Sequence, residues 1–150
     1  MGLIQVNGGY EWNLPSGRTA GWHDDSARLG EEGNLVMSGH HNIDGLVFQN
    51  LNLLPGDVTK VCSRTPDGHA NGIKQGIMIK VKGKQHEATY ELSDCKLLLQ
   101  RNQPMAVLLE HGKLLLQDGE DKLTLVTCWP FTDNSYRLVL IAKQVDSKIL

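Results

Sequence analysis

Apolar and polar positions alternate in short runs along this chain. Ile77, Ile79 and Val81 fall on one face of an extended segment and Met78, Lys80 and Lys82 on the other, as in a strand buried on one side. Further β-rich runs occupy Asn34 to Ser38, Val58 to Ser63, Gly76 to Lys82, Ala88 to Leu92, Leu123 to Cys128 and Tyr136 to Gln144. Between them stand turn signals such as Pro15-Ser16-Gly17, Asp44-Gly45, Pro55-Gly56-Asp57, Pro66-Asp67-Gly68 and Asp118-Gly119. The pattern predicts a mostly antiparallel β-barrel or sandwich. One helix is expected over Pro104 to His111, where Pro104 suits a first turn and Met105, Leu108 and Leu109 recur at helical spacing before Gly112. A shorter helical turn is expected over Val47 to Leu51.

Composition changes this picture little. The 150 residues suit one domain, 1–150, and 40% hydrophobic with 21% charged residues is an ordinary globular balance. A net charge of −2 gives no electrostatic footprint for nucleic acid or an anionic membrane. No run approaches the roughly 18 apolar residues of a spanning helix, and the first ten residues lack the features of a secretion signal. Any membrane attachment is therefore expected through a segment outside the given residues.

Three cysteines, Cys62, Cys95 and Cys128, are too few and too scattered for a disulfide framework, and an odd count leaves one thiol over. Cys62 and Cys95 read most simply as buried strand residues. Cys128 ends the run Leu123-Thr124-Leu125-Val126-Thr127 and precedes Trp129-Pro130, and since Pro130 cannot continue a central strand, the thiol belongs at the rim of the sheet. A thiolate there is a strong nucleophile if a neighbour takes its proton. His40 closes another predicted strand after Gly39, so its imidazole suits the same edge. His41 should face the opposite way, because successive side chains on extended backbone alternate. Arg137 opens the strand after Cys128, nine positions on, and supplies a permanent cation able to stabilise both thiolate and oxyanion. Trp22-His23-Asp24-Asp25 reads as a polar loop.

Leu123 to Cys128, read LTLVTC, together with Arg137, resembles the signature of the sortases, the cysteine transpeptidases of bacterial cell surfaces. Gly33 to His40, and Gly45 to Leu51 followed by Leu54 to Asp57, resemble the family's histidine stretch and the segment after it. Order and spacing agree from Trp12 to Val145. The resemblance implies a closed eight-stranded β-barrel with one or two short helices. Carried over residue by residue, it makes Cys128 the nucleophile, His40 the acid/base and Arg137 the group that binds carbonyl and oxyanion. It further implies cleavage of an LPxTG-like sorting peptide after Thr, a Cys thioester, and transfer to an amine acceptor such as a cell-wall peptide or a pilin lysine, with no cofactor. The full-length protein would then sit at the bacterial surface, anchored in the membrane. Trp129-Pro130-Phe131 resembles the class D and E members, whereas Arg28-Leu29-Gly30 stands where relatives often carry Pro-Gly. Thr127 and Trp129, which flank the thiol, and Leu97, Leu98, Met105 and Val107, in the region that selects substrate in this family, are candidate substrate contacts. The last four equally suit a core.

Rival chemistries fare worse. Cys62, Cys95 and Cys128 lack zinc-ligand spacing, and neither C-x-x-C nor H-x-x-x-H occurs. No G-x-S-x-G elbow is present for a serine hydrolase. A non-catalytic surface-binding barrel and a plain cysteine peptidase using water stay open, since an acyl-enzyme serves hydrolysis and transfer alike.

Overall fold

The computed structural model describes residues 3–6, 9–12, 20–40, 48–130 and 133–150. The strands among them are β1 (Leu3–Val6), β2 (Gly9–Trp12), β3 (Gly21–Trp22), β4 (Asn34–Ser38), β5 (Met78–Lys82), β6 (His86–Leu99), β7 (Lys122–Trp129) and β8 (Tyr136–Ile149). β1 and β2 pair with each other, and the remaining six form one sheet in the order β3-β4-β7-β8-β6-β5. Pairing in that sheet is antiparallel except between β4 and β7. Among the described residues the expected mostly β fold thus takes the form of a six-stranded sheet, with β3 and β5 at its two ends, and a separate hairpin. Two register shifts in β6, between Thr89 and Tyr90 and between Leu92 and Asp94, add the local twist with which a long strand curls.

β7 explains why the signature stretch reads as nearly continuous apolar and β-branched residues: it is covered on both faces. Leu123 and Leu125 join Leu97, Leu138 and Leu140 in the main core, while Val126 packs on the opposite face with Leu98 and Val139 beneath Leu114 and Leu115. The threonines between them are satisfied internally. Thr124 Oγ1 donates to Asn34 Oδ1 at 2.7 Å, and Thr127 Oγ1 donates to the Gly39 carbonyl at 2.9 Å.

Several expectations are corrected. Val58 to Ser63 does not form a strand; Val58–Val61 is a short helix, α1. Asp57 decides this by capping it, its Oδ1 accepting from Thr59 N at 3.1 Å. Cys62 ends that helix and is joined by a disulfide to Cys95 of β6, Cα to Cα 4.9 Å, so the two are a cross-link and not separate buried thiols. The second helix, α2, spans Met105–Gly112, one position later than anticipated, with Pro104 as its extended N-cap. The helical turn expected over Val47 to Leu51 is a 3-10 segment at Gln49–Leu53, and Val47 lies outside the described residues. His23, placed by its sequence neighbours in a polar loop, is buried at 1% exposure.

Candidate active site

Pairing registers align the candidate residues before any side chain is considered. Cys128 on β7 stands opposite Arg137 on β8, and Arg137 stands opposite Leu98 on β6. Residues level with one another on neighbouring strands present their side chains to the same face. The row Cys128, Arg137, Leu98 therefore crosses three strands on the side that holds Val126 and Val139. β4 runs parallel to β7 with Ser38 level with Val126, and the Gly39 amide continues the ladder to the Val126 carbonyl at 3.2 Å. β4 ends at Ser38, two residues before His40, as Val126 stands two residues before Cys128 on β7.

Backbone contacts fix the entry to His40. The Gly39 carbonyl is held by Thr127, and the His40 carbonyl accepts from Phe48 N at 2.8 Å. His41 and the rest of 41–47 lie outside the described residues. Cys128 is half-buried and stands outside the disulfide. Arg137 is half-buried too, its guanidinium donating to the Asn134 and Tyr136 carbonyls at 3.3 and 3.4 Å. Those contacts tie it to the short connection between β7 and β8, where Asn134 adopts φ 57° and Asp133 caps the turn by accepting from Ser135 N at 3.0 Å.

An apolar groove of about 450 Å³ opens on this face. Arg137, Leu98, Val126 and Val139 form its floor, α2 and the 3-10 turn Lys113–Leu115 form one wall, and His23 and Asp25 line another part. Such a cleft, with few polar groups over an apolar floor, suits an extended apolar peptide. His23 carries the largest shift in acidity: burial lowers its pKa to about 4, against the opposing pull of Asp25 and Asp24. Burial also lowers the pKa of His111, on α2.

The expected substrate contacts divide. Leu98 and Met105 line the groove. Leu97 is fully buried in the main core, on the opposite face of the sheet. Thr127 is turned away from the groove by the same alternation and is 2% exposed. Trp129 packs edge-on against Tyr136, with ring centroids 5.6 Å apart, against the main core, and Val107, half-exposed on α2, is outside the groove lining. His23, Leu108 and Leu115, which do line it, were not singled out by sequence; the Leu108 spacing pointed to a helix without saying what the helix covers.

A sequence model of the sortase domain matches residues 3–145. No curated protein matches the chain. Among solved structures, the chain is similar to a Sortase D5 transpeptidase of Clostridium perfringens (TM-score 0.58, 22% identity, 85% of this chain and 62% of that one). It is similar as well to sortase C-1 of Actinomyces oris (0.59, 22%, 85% and 58%) and to a sortase A from the same organism (0.59, 21%, 88% and 64%). The chain thus spans about three fifths of the length of these structures. The likeness extends to the fold in each case, and a family model that covers nearly the whole sequence goes further: the chain belongs to the sortase family.

Proposed function

We propose that this chain is a sortase-type cysteine transpeptidase, with Cys128 as nucleophile, His40 as acid/base and Arg137 as the carbonyl and oxyanion group. The observation that carries the reading is the level placement of Cys128 and Arg137 on adjacent strands, on the face where the groove opens. His40 takes the thiol proton, and the sulfur attacks the Thr carbonyl carbon of an LPxTG-like peptide. An S–C bond forms, and the negative charge on the carbonyl oxygen is met by the Arg137 guanidinium. When the carbonyl re-forms, the C–N bond to the next residue breaks and the departing amine carries off the proton from His40. An acceptor amine then attacks the thioester, returns a proton to His40 and leaves with the acyl group while Cys128 regains its thiolate.

The substrates under this reading are a sorting-signal peptide and an amine, such as a cell-wall peptide or a pilin lysine, at the bacterial surface. The Cys62–Cys95 disulfide supports an oxidising location outside the cytoplasm. Among the described residues no helix is long and apolar enough to cross a membrane. Trp129-Pro130-Phe131 favours a class D or E member, Phe131 lying outside the described residues.

Incubation with LPxTG-like and LAxTG-like peptides plus triglycine, read by mass spectrometry, tests the proposal. A thioester on Cys128 and an amide product are expected, both absent in Cys128→Ala. Cleavage that persists in Cys128→Ala rejects the nucleophile, and cleavage with water alone favours the peptidase reading.

A further inference from the structure

His23 stands outside that trio, yet it is the one fully buried polar residue lining the groove among the described residues. Its Nε2 lies 2.6 Å from Ser38 Oγ. Its amide donates to the Val36 carbonyl at 3.0 Å, and its carbonyl accepts from Ser26 N and Oγ at 2.9 and 2.8 Å. Ser26 Oγ in turn accepts from Val36 N at 3.1 Å. The loop after β3 is therefore pinned through the His23 backbone, and the His23 ring is tied to the last residue of β4. Ser38 is paired with Gly21 on one side and with Val126 on the other, and two residues later comes His40.

A buried imidazole gives up hydration that a phenyl ring of similar size would never have had. What it gains in exchange is a directional bond to a single hydroxyl. That hydroxyl sits where β4 stops and the chain must deliver His40 to the thiol. We infer that His23 is a positioning residue: through its hydrogen bond to Ser38 it fixes the end of β4 and so the placement of His40 relative to Cys128. The inference rests on the transpeptidase reading above. It adds a fourth side chain, contributed by an edge of the sheet that carries none of the trio.

Three variants of the full chain test it: His23→Phe, which keeps a ring but deletes the bond; Ser38→Ala, which deletes the other partner; and His23→Gln, whose amide can replace Nε2. With an LPxTG-like peptide and triglycine, His23→Phe and Ser38→Ala are expected to lower kcat about tenfold, the equivalent of one lost hydrogen bond, while KM stays within about twofold. His23→Gln recovers most of the lost rate. Alkylation of Cys128 by iodoacetamide, which needs no substrate, is expected to slow in the same order because a displaced imidazole activates the thiol less. Unchanged kcat in both deletions, a change in KM alone, or Gln as impaired as Phe overturns the inference. Should the unaltered chain turn over no peptide, the transpeptidase reading falls, and the alkylation order alone decides for or against the brace. Should His23→Phe fail to fold, Ser38→Ala, which removes a single oxygen, carries the test.

Discussion

Thr127 joins the two halves of the proposed site although it faces away from the groove. Its hydroxyl, one residue before Cys128, holds the carbonyl of Gly39, one residue before His40. Thr127→Val keeps the shape and the strand preference but leaves that buried carbonyl without its donor, at a cost of about 1–3 kcal/mol. The expected result is a lower urea midpoint together with a lower kcat, and a variant equal to the parent in both would show that the clamp does not matter. Arg137→Lys keeps the charge and loses the planar fork of donors. If the guanidinium meets the oxyanion, the loss of about 1.5–3 kcal/mol translates into a rate roughly ten- to a hundredfold lower, measured as kcat/KM on the same peptide. Cys128, His40 and Arg137 could be singled out from sequence because each type is chemically distinctive and each stands at the end of a recognisable strand. His23 could not, because its burial depends on Val36 and Ser38 closing over it from a strand eleven or more residues away, which the neighbours Trp22, Asp24 and Asp25 do not reveal.

At the level of elements, strands with alternating or β-branched residues were legible, and Asn34–Ser38 carries the same limits in sequence and structure. Val58 to Ser63 misled because a short apolar run has no period of its own, and a single capping carboxylate, Asp57, tipped it to helix. The parallel pairing of β4 with β7 was hidden for another reason: it joins residues far apart in sequence, so no local pattern encodes it. The partition of Leu97 and Leu98 between core and groove, left open by sequence, follows from alternation once the strand is placed. The disulfide ties α1 to β6 on the face away from the groove. Closing a loop of 33 residues restricts the unfolded chain by about 4 kcal/mol at most, and measured effects run at about 2–4. Cys62→Ser combined with Cys95→Ser is expected to lose stability of that order in urea while Cys128 still reacts with iodoacetamide in the folded protein. A midpoint unchanged by reduction of the parent would contradict this.

For the whole molecule, acidity sets a limit on stability that His23 helps define. Its pKa in the folded chain, about 4, lies below the ordinary histidine value of 6.5. Folding therefore excludes a proton that the unfolded chain accepts. The stabilisation is complete above about pH 6.5 and is lost as pH falls toward about 4, with a total of roughly 3 kcal/mol for a shift of this size. His111, lowered in the same direction, adds to the trend. Urea midpoints at pH 7 and pH 4.5 should differ by more in the parent than in His23→Gln, and equal differences would remove His23 as the cause.

The cysteines also pose a problem of choice during maturation. Cys95 is separated from Cys62 by 33 positions, and 128 minus 95 is again 33, so chain entropy does not distinguish the observed bridge from one that would consume the proposed nucleophile. The pleat makes the selection instead. Once β6, β7 and β8 have paired, Cys95 looks into the main core toward α1 and Cys128 looks out on the other side, so oxidation after sheet assembly is expected to spare Cys128, whereas oxidation ahead of it is expected to yield also the isomer with Cys128 in the bridge.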